Sequence, residues 1–229
     1  MMRSIMIKTI TLTLLVVFSL STLALPKLPG GLGSLGGDDS EETASMDLPA
    51  AQSKLERTLR DALADLMEAE SHFADARGDA DAAAALKIQA GTLRGKDEVD
   101  IKEAMEDTAS SREQSAKFEA SAGELSAEAK ALYAKGLLPY AKGVARTSKA
   151  TKQAKTWLDA AQKELKSIKN PMKLGKLKKS LGGGLSLART LPKFFKTLGA
   201  STKGVFSFAR TQKLDTKKAQ SSLGDDDFE

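Results

Sequence analysis

Residues 47–77 read DLPAAQSKLERTLRDALADLMEAESHFADAR, and this stretch decides the class of fold. Asp47 suits the N-cap of a helix and Pro49 suits its first turn, and no other Pro and no Gly occurs before Gly78. At 1.5 Å per residue, the helix would be about 45 Å long. Its apolar residues recur at spacings of three, four or seven, as on one helix face: Leu48, Leu55, Leu59, Ala62, Leu66, Ala69, Phe73 and Ala76.

Three more helices are predicted between Asp79 and Asn170. A short Ala-rich helix should span about 79–93, a longer one about 97–135, and a fourth about 138–168. Gly136 and Pro139 predict the break between the last two, although Ser126 is an alternative start for the fourth helix.

The predicted helix faces are narrow and rich in Ala and Ser, and Ala buries far less area than Leu. Such faces favour close-packed hairpins over a thick core. No run of alternating apolar and polar residues predicts a strand. We therefore expect an all-α fold, an elongated antiparallel helical bundle with coiled-coil-like hairpins over residues 47–170. A second copy of the chain can complete such narrow faces, so homo-oligomerisation is also considered.

The N-terminal residues predict a targeting signal rather than a folded element. Residues 1–24 have two basic residues, an apolar stretch over 10–20 and small residues before a cleavage point after Ala24. The apolar stretch is short for a membrane span, although an uncleaved anchor is the alternative. Residues 25–46 are Gly-rich and then acidic, which predicts a flexible linker. We expect export to the periplasm or the extracellular space, with association to a membrane as an option.

Charge is divided unevenly along the chain. Residues 38–130 hold 23 acidic and 11 basic residues, whereas residues 131–219 hold 3 acidic and 21 basic residues, within a net charge of +5. Two interpretations compete: the acidic and basic helices neutralise each other, or the basic half faces an anionic membrane surface or an acidic envelope protein.

The segment 171–213 combines lysines with Leu and Phe and has no acidic residue between Met172 and Arg210. A basic amphipathic segment with aromatic anchors is typical of helices that lie on membranes. Gly182–Gly184 predicts a hinge within it. The alternatives are an apolar lid on the bundle and a segment that orders only on binding. The candidate docking residues are Lys173, Lys176, Leu177, Lys178, Lys179, Leu181, Arg189, Leu191, Lys193, Phe194, Phe195, Lys196, Phe206 and Phe208.

Residues 214–229 end in DDDFE and predict an acidic disordered tail, which could fold weakly onto the basic half.

Little in the sequence predicts catalysis. The absence of Cys excludes thiol chemistry and Cys-ligated metals, and a single His makes triad chemistry improbable. Asp65, Glu68, His72 and Asp75 share one helix face, but no second His accompanies them, so a solvated acidic face is the better interpretation. No phosphate-binding loop, dinucleotide fingerprint or nucleophile elbow is present. We expect no enzyme activity, no cofactor, no bound metal and, given the export signal, no nucleic-acid partner.

These observations predict an exported helical interaction or scaffold protein that docks through its basic C-terminal segment. The alternatives are a membrane-active protein that inserts or lyses, and a periplasmic carrier or chaperone for an apolar ligand.

Overall fold

The computed structural model describes residues 46–95 and 99–224. The all-α prediction is confirmed, since helices and no strands occur in these ranges. The predicted signal peptide, the predicted linker up to residue 45 and the last five residues of the predicted tail lie outside the described residues. The helices are α1 (Leu48–Ala76), α2 (Ala80–Arg94), α3 (Ile101–Ser121), α4 (Ala127–Ser167), α5 (Pro171–Thr211) and α6 (Lys217–Gln220).

Each of the first five helices begins at a capping side chain. A side-chain oxygen just before the helix accepts a hydrogen bond from a backbone N–H of the first turn, which satisfies a donor that has no partner within the helix. The end of α1 is also determined by the nearby sequence, because Gly78 adopts φ +81°, in the left-handed region that glycine favours. The five caps are Asp47, Asp79, Asp100, Ser126 and Asn170.

Helix α1 lies at the centre of the bundle and contacts α2, α3, α4 and α5. Residues 62–67 are all buried, so the middle of α1 is enclosed on every side rather than along one stripe. The sequence predicted that α1 would bury only one face. In the structure, even a polar side chain of residues 62–67, Asp65, is buried.

Helix α4 runs antiparallel to α1, with Gly143 opposite Leu66 and Gly136 opposite Phe73. A Cβ at Gly136 would lie 2.5 Å from Phe73 Cε1, so the glycine allows the close approach. The predicted break at Gly136 and Pro139 is wrong, because α4 passes through both residues. The chain breaks instead before the alternative start at Ser126, since burial against α1 outweighs the poor helix propensity of Gly and Pro.

Helix α5 runs antiparallel to α4, with Gly184 beside Trp157 and Thr202 beside Tyr140. The predicted hinge at Gly182–Gly184 is wrong, because α5 is continuous through it and through Pro192. A Cβ at Gly184 would lie 2.7 Å from Trp157 Cη2. The glycine therefore permits packing where the sequence suggested a bend.

The predicted disordered tail is wrong for residues 214–224. Residues 217–220 form α6, which packs on α4 and buries Ala219. Leu214 and Leu223 also pack against the core on either side of Ala219, so this part of the tail is ordered by apolar contacts with the bundle.

Apolar side chains of the core form two clusters. One contains Leu63, Trp157 and Leu181, and the other contains Phe73 of α1, Tyr133 of α4 and Phe208 of α5. Among the described residues, no helix is long and apolar enough to span a membrane.

Candidate docking surface

Helix α5 turns its apolar residues toward the core. Leu181, Leu191, Phe206 and Phe208 are buried, while Leu177, Phe194 and Phe195 are partly buried. A buried side chain cannot contact an external surface, so the structure removes the first four residues from the predicted docking set. It places them instead in the apolar lid that the sequence left as the alternative.

The basic residues of α5 point outward. Every Lys and Arg of the helix is exposed, because helical periodicity places them opposite the packed face. Within the described chain, none of them has a carboxylate oxygen within 4.0 Å. We call this set the basic face of α5; it comprises Lys173, Lys176, Lys178, Lys179, Arg189, Lys193, Lys196, Lys203 and Arg210.

Acidic residues of α1 form ion pairs with arginines of α2 and α4 rather than with the basic face of α5. Asp65 accepts a hydrogen bond of 3.0 Å from Arg94 of α2 and also contacts Arg146 of α4, and Arg94 contacts Glu68 as well. Burial raises the pKa of Asp65, although the two arginines act in the opposite direction. These pairs join three helices, and the pair of Asp65 with Arg146 links the acidic part of the chain to the basic part, as internal neutralisation predicts. No ion pair among the described residues involves the basic face of α5, so this face is left out of the neutralisation.

A second charged cluster is buried between α1, α3 and α4. Arg112 donates to Glu70 at 3.0 Å and contacts Glu119, and its guanidinium carbon lies 5.4 Å from the centre of the Phe73 ring. Tyr133 donates to Glu119 at 2.7 Å. Burial raises the pKa of Glu70, and Arg112 opposes that shift. We assign this cluster to the fold, because it joins three helices far from exposed surface.

The sequence analysis did not identify the Arg112 cluster. Arg112, Ser115 and Glu119 stand at positions i, i+3 and i+7, so they share one face of α3. The hydroxyl of Ser115 donates to Glu70 at 2.6 Å on that same face. A polar stripe where an apolar one is expected was the signal that could have revealed a buried polar network.

The four residues considered as metal ligands do not converge. Asp65 and Glu68 face Arg94, and no group of three or more His, Cys, Asp or Glu in residues 46–95 and 99–224 is placed to hold a metal ion. His72 Nδ1 is buried and has no hydrogen-bond partner among the described residues, and burial lowers the pKa of His72. On this face, the carboxylates of Asp65 and Glu68 are paired with the guanidinium of Arg94.

Comparison with protein-family models, curated proteins and solved structures finds no match to this chain.

Proposed function

We propose that the protein is an exported, non-enzymatic helical scaffold that docks onto an anionic membrane surface through the basic face of α5. One observation carries the proposal: the basic residues of α5 are all exposed and have no carboxylate partner in the described chain. Export is supported by the layout of residues 1–24, which resembles a signal peptide in charge, apolar stretch and cleavage point.

The binding energy in this proposal is electrostatic. Each Lys or Arg near an anionic bilayer adds up to about 1 kcal/mol, and the effect decays within a Debye length. Four of the predicted apolar anchors lie in the core, so α5 as packed cannot lie on the membrane as an amphipathic helix does. We therefore expect reversible, salt-sensitive association that leaves the bundle folded.

Co-sedimentation with vesicles tests the proposal. The chain beginning at Leu25, which retains every described residue, is mixed with phosphatidylglycerol-containing vesicles or with phosphatidylcholine vesicles, at low and at high salt. We expect it to sediment only with the anionic vesicles and only at low salt. Equal binding to both vesicles, or no binding to either, contradicts the proposal; in the second case an acidic envelope protein becomes the partner to seek by cross-linking.

A pair of matched variants connects the binding to α5. One variant carries glutamine at six lysines of α5, and the control carries glutamine at six exposed basic residues of other helices, so that both lose the same net charge. We expect only the first to lose anionic binding. The α5 set is Lys173, Lys176, Lys179, Lys193, Lys196 and Lys203, and the control set is Lys54, Arg57, Lys87, Lys102, Lys117 and Lys135.

The same vesicles, loaded with a self-quenched dye, separate docking from lysis. Insertion would require the apolar residues of α5 to leave the core. We expect binding without dye release, and release that rises with bound protein would favour the membrane-active alternative.

A further inference from the structure

The hairpin formed by α4 and α5 continues past the beginning of α1. The indole Nε1 of Trp157 donates a hydrogen bond of 3.0 Å to the carbonyl of Leu48, the first residue of α1. Helix α4 then continues to Ser167, about 15 Å further at 1.5 Å per residue. Helix α5 returns from Pro171 and reaches Trp157 at Gly184. We call residues 158–183 the hairpin end.

The hairpin end is almost entirely unburied. Ala161 and Leu181 are buried, but no residue between them is. The larger apolar side chains between Ala161 and Leu181, except Met172, are partly buried: Leu165, Ile168, Leu174 and Leu177. Met172, in the first turn of α5, is 75% exposed, the largest exposed fraction of any large apolar side chain in the described chain.

Lysines occur on both sides of Met172 in the sequence. The hairpin end contains seven of them, all exposed, against only two acidic residues, Asp159 and Glu164. None of the seven forms an ion pair with any residue of the described chain. The lysines are Lys163, Lys166, Lys169, Lys173, Lys176, Lys178 and Lys179.

The remainder of the basic face lacks such an apolar centre. Beside Lys193, Lys196 and Lys203, Phe194 and Phe195 are partly buried, and no large apolar side chain is exposed as Met172 is. An exposed apolar side chain in a segment of exposed, unpaired lysines fits a membrane interface, where the apolar group enters the headgroup region and the flexible lysine stems extend to the phosphates.

We propose that the hairpin end is the part of the protein that contacts the bilayer, with Met172 entering between anionic headgroups while the lysines around it bind them. This inference rests on the proposed function and specifies its contact site. The α4–α5 hairpin then approaches the membrane with its turn first, and the remaining lysines of α5 contribute only long-range attraction.

A pair of fluorescent labels tests the contact site. The chain has no Cys, so Met172→Cys and Ile88→Cys each provide one labelling position for an environment-sensitive dye. Ile88 of α2 is the matched control, because it is 71% exposed and apolar but lies in the acidic part of the chain. On phosphatidylglycerol vesicles, we expect a blue shift and protection from an aqueous quencher at position 172 only.

Charge variants test the lysines of the hairpin end. Glutamine at Lys173, Lys176 and Lys179 should weaken binding to anionic vesicles by at least about tenfold, because three lysine contacts with the headgroups are lost. Glutamine at Lys193, Lys196 and Lys203 removes the same charge from the same helix and should weaken binding by less than about threefold. Circular dichroism checks that both variants remain helical.

The outcomes separate the two proposals. If the wild-type chain sediments with anionic vesicles but the label at position 172 does not respond, or the two triple variants weaken binding equally, the hairpin end is not the contact site and the proposed function stands. If the wild-type chain does not bind anionic vesicles at all, both proposals fail.

Discussion

The indole of Trp157 and the backbone carbonyl of Leu48 are joined by a hydrogen bond of 3.0 Å across 109 positions of sequence. The bond connects the C-terminal part of α4 to the first turn of α1, and Gly184 of α5 lies against the same indole ring. Three helices therefore meet at Trp157. This side chain marks the boundary between the packed bundle and the hairpin end that we propose to contact the membrane.

Replacing this indole should weaken the bundle. Trp157→Phe removes the hydrogen bond and part of a fully buried ring, so we expect the free energy of unfolding to fall by about 1 to 3 kcal/mol. Urea denaturation followed by circular dichroism measures the change. Ile88→Ala, at an exposed site, should change it by less than about 0.5 kcal/mol. An unchanged midpoint for Trp157→Phe would show that the ring is not a packing centre.

Two glycines in long helices should respond to alanine in opposite directions. At Gly136 a Cβ would lie 2.5 Å from Phe73 Cε1 and 2.9 Å from the carbonyl oxygen of Ala69, so Gly136→Ala must push α4 away from α1. We expect a loss of about 1 to 3 kcal/mol. At Gly175 nothing lies within 4 Å, so Gly175→Ala should stabilise by up to about 1 kcal/mol through helix propensity. Equal effects at both positions would contradict the close approach.

The buried guanidinium of Arg112 should be hard to replace. Arg112→Met leaves Glu70 and Glu119 without their cation in the core, and we expect a loss of about 3 to 5 kcal/mol at pH 8. The pKa of Glu70, already raised by burial, should rise further in the variant. A folded-state pKa above the unfolded value makes stability decline as pH rises, so the deficit should shrink toward pH 4.5.

The control for Arg112 is Lys117→Met, which removes the cation of an exposed pair with Glu113. Exposed pairs contribute little, so its midpoint should match the wild type. A deficit of Arg112→Met that does not depend on pH would show that the carboxylates remain satisfied without the arginine.

Mild acid should destabilise the fold through its single histidine. Burial lowers the pKa of His72 below its usual value of 6.5, although Glu68 and Asp75 favour the protonated form and Lys87 and Lys135 disfavour it. The unfolded chain then binds more protons than the folded one, and stability falls as the pH drops below about 6.5. Comparing the pH dependence of wild type and His72→Gln isolates this contribution, which is absent if the two curves are parallel between pH 7 and 5.5.

Much of the fold could be predicted from local sequence. Capping residues such as Asp47 and Ser126 act within one turn, so helix starts are visible without knowledge of the partners. The breaks expected at Gly136 and at Gly182–Gly184 failed for the opposite reason. At Gly136 and Gly184 a neighbouring helix packs so closely that a Cβ would not fit, and the sequence does not show which helix that is.

For the candidate docking surface too, some features follow from the local sequence and others from the tertiary structure. The sequence by itself determined that lysines and apolar residues of α5 occupy different faces, because the helical period separates them. Only the tertiary structure decided where each face points. Helix α5 packs mainly on α4 and α3, and Leu181, Leu191, Phe206 and Phe208 are buried in that packing. Hydrophobic burial is not directional, so a sequence cannot distinguish a core from a membrane as the solvent for its apolar face, whereas packing against α1, α3 and α4 does.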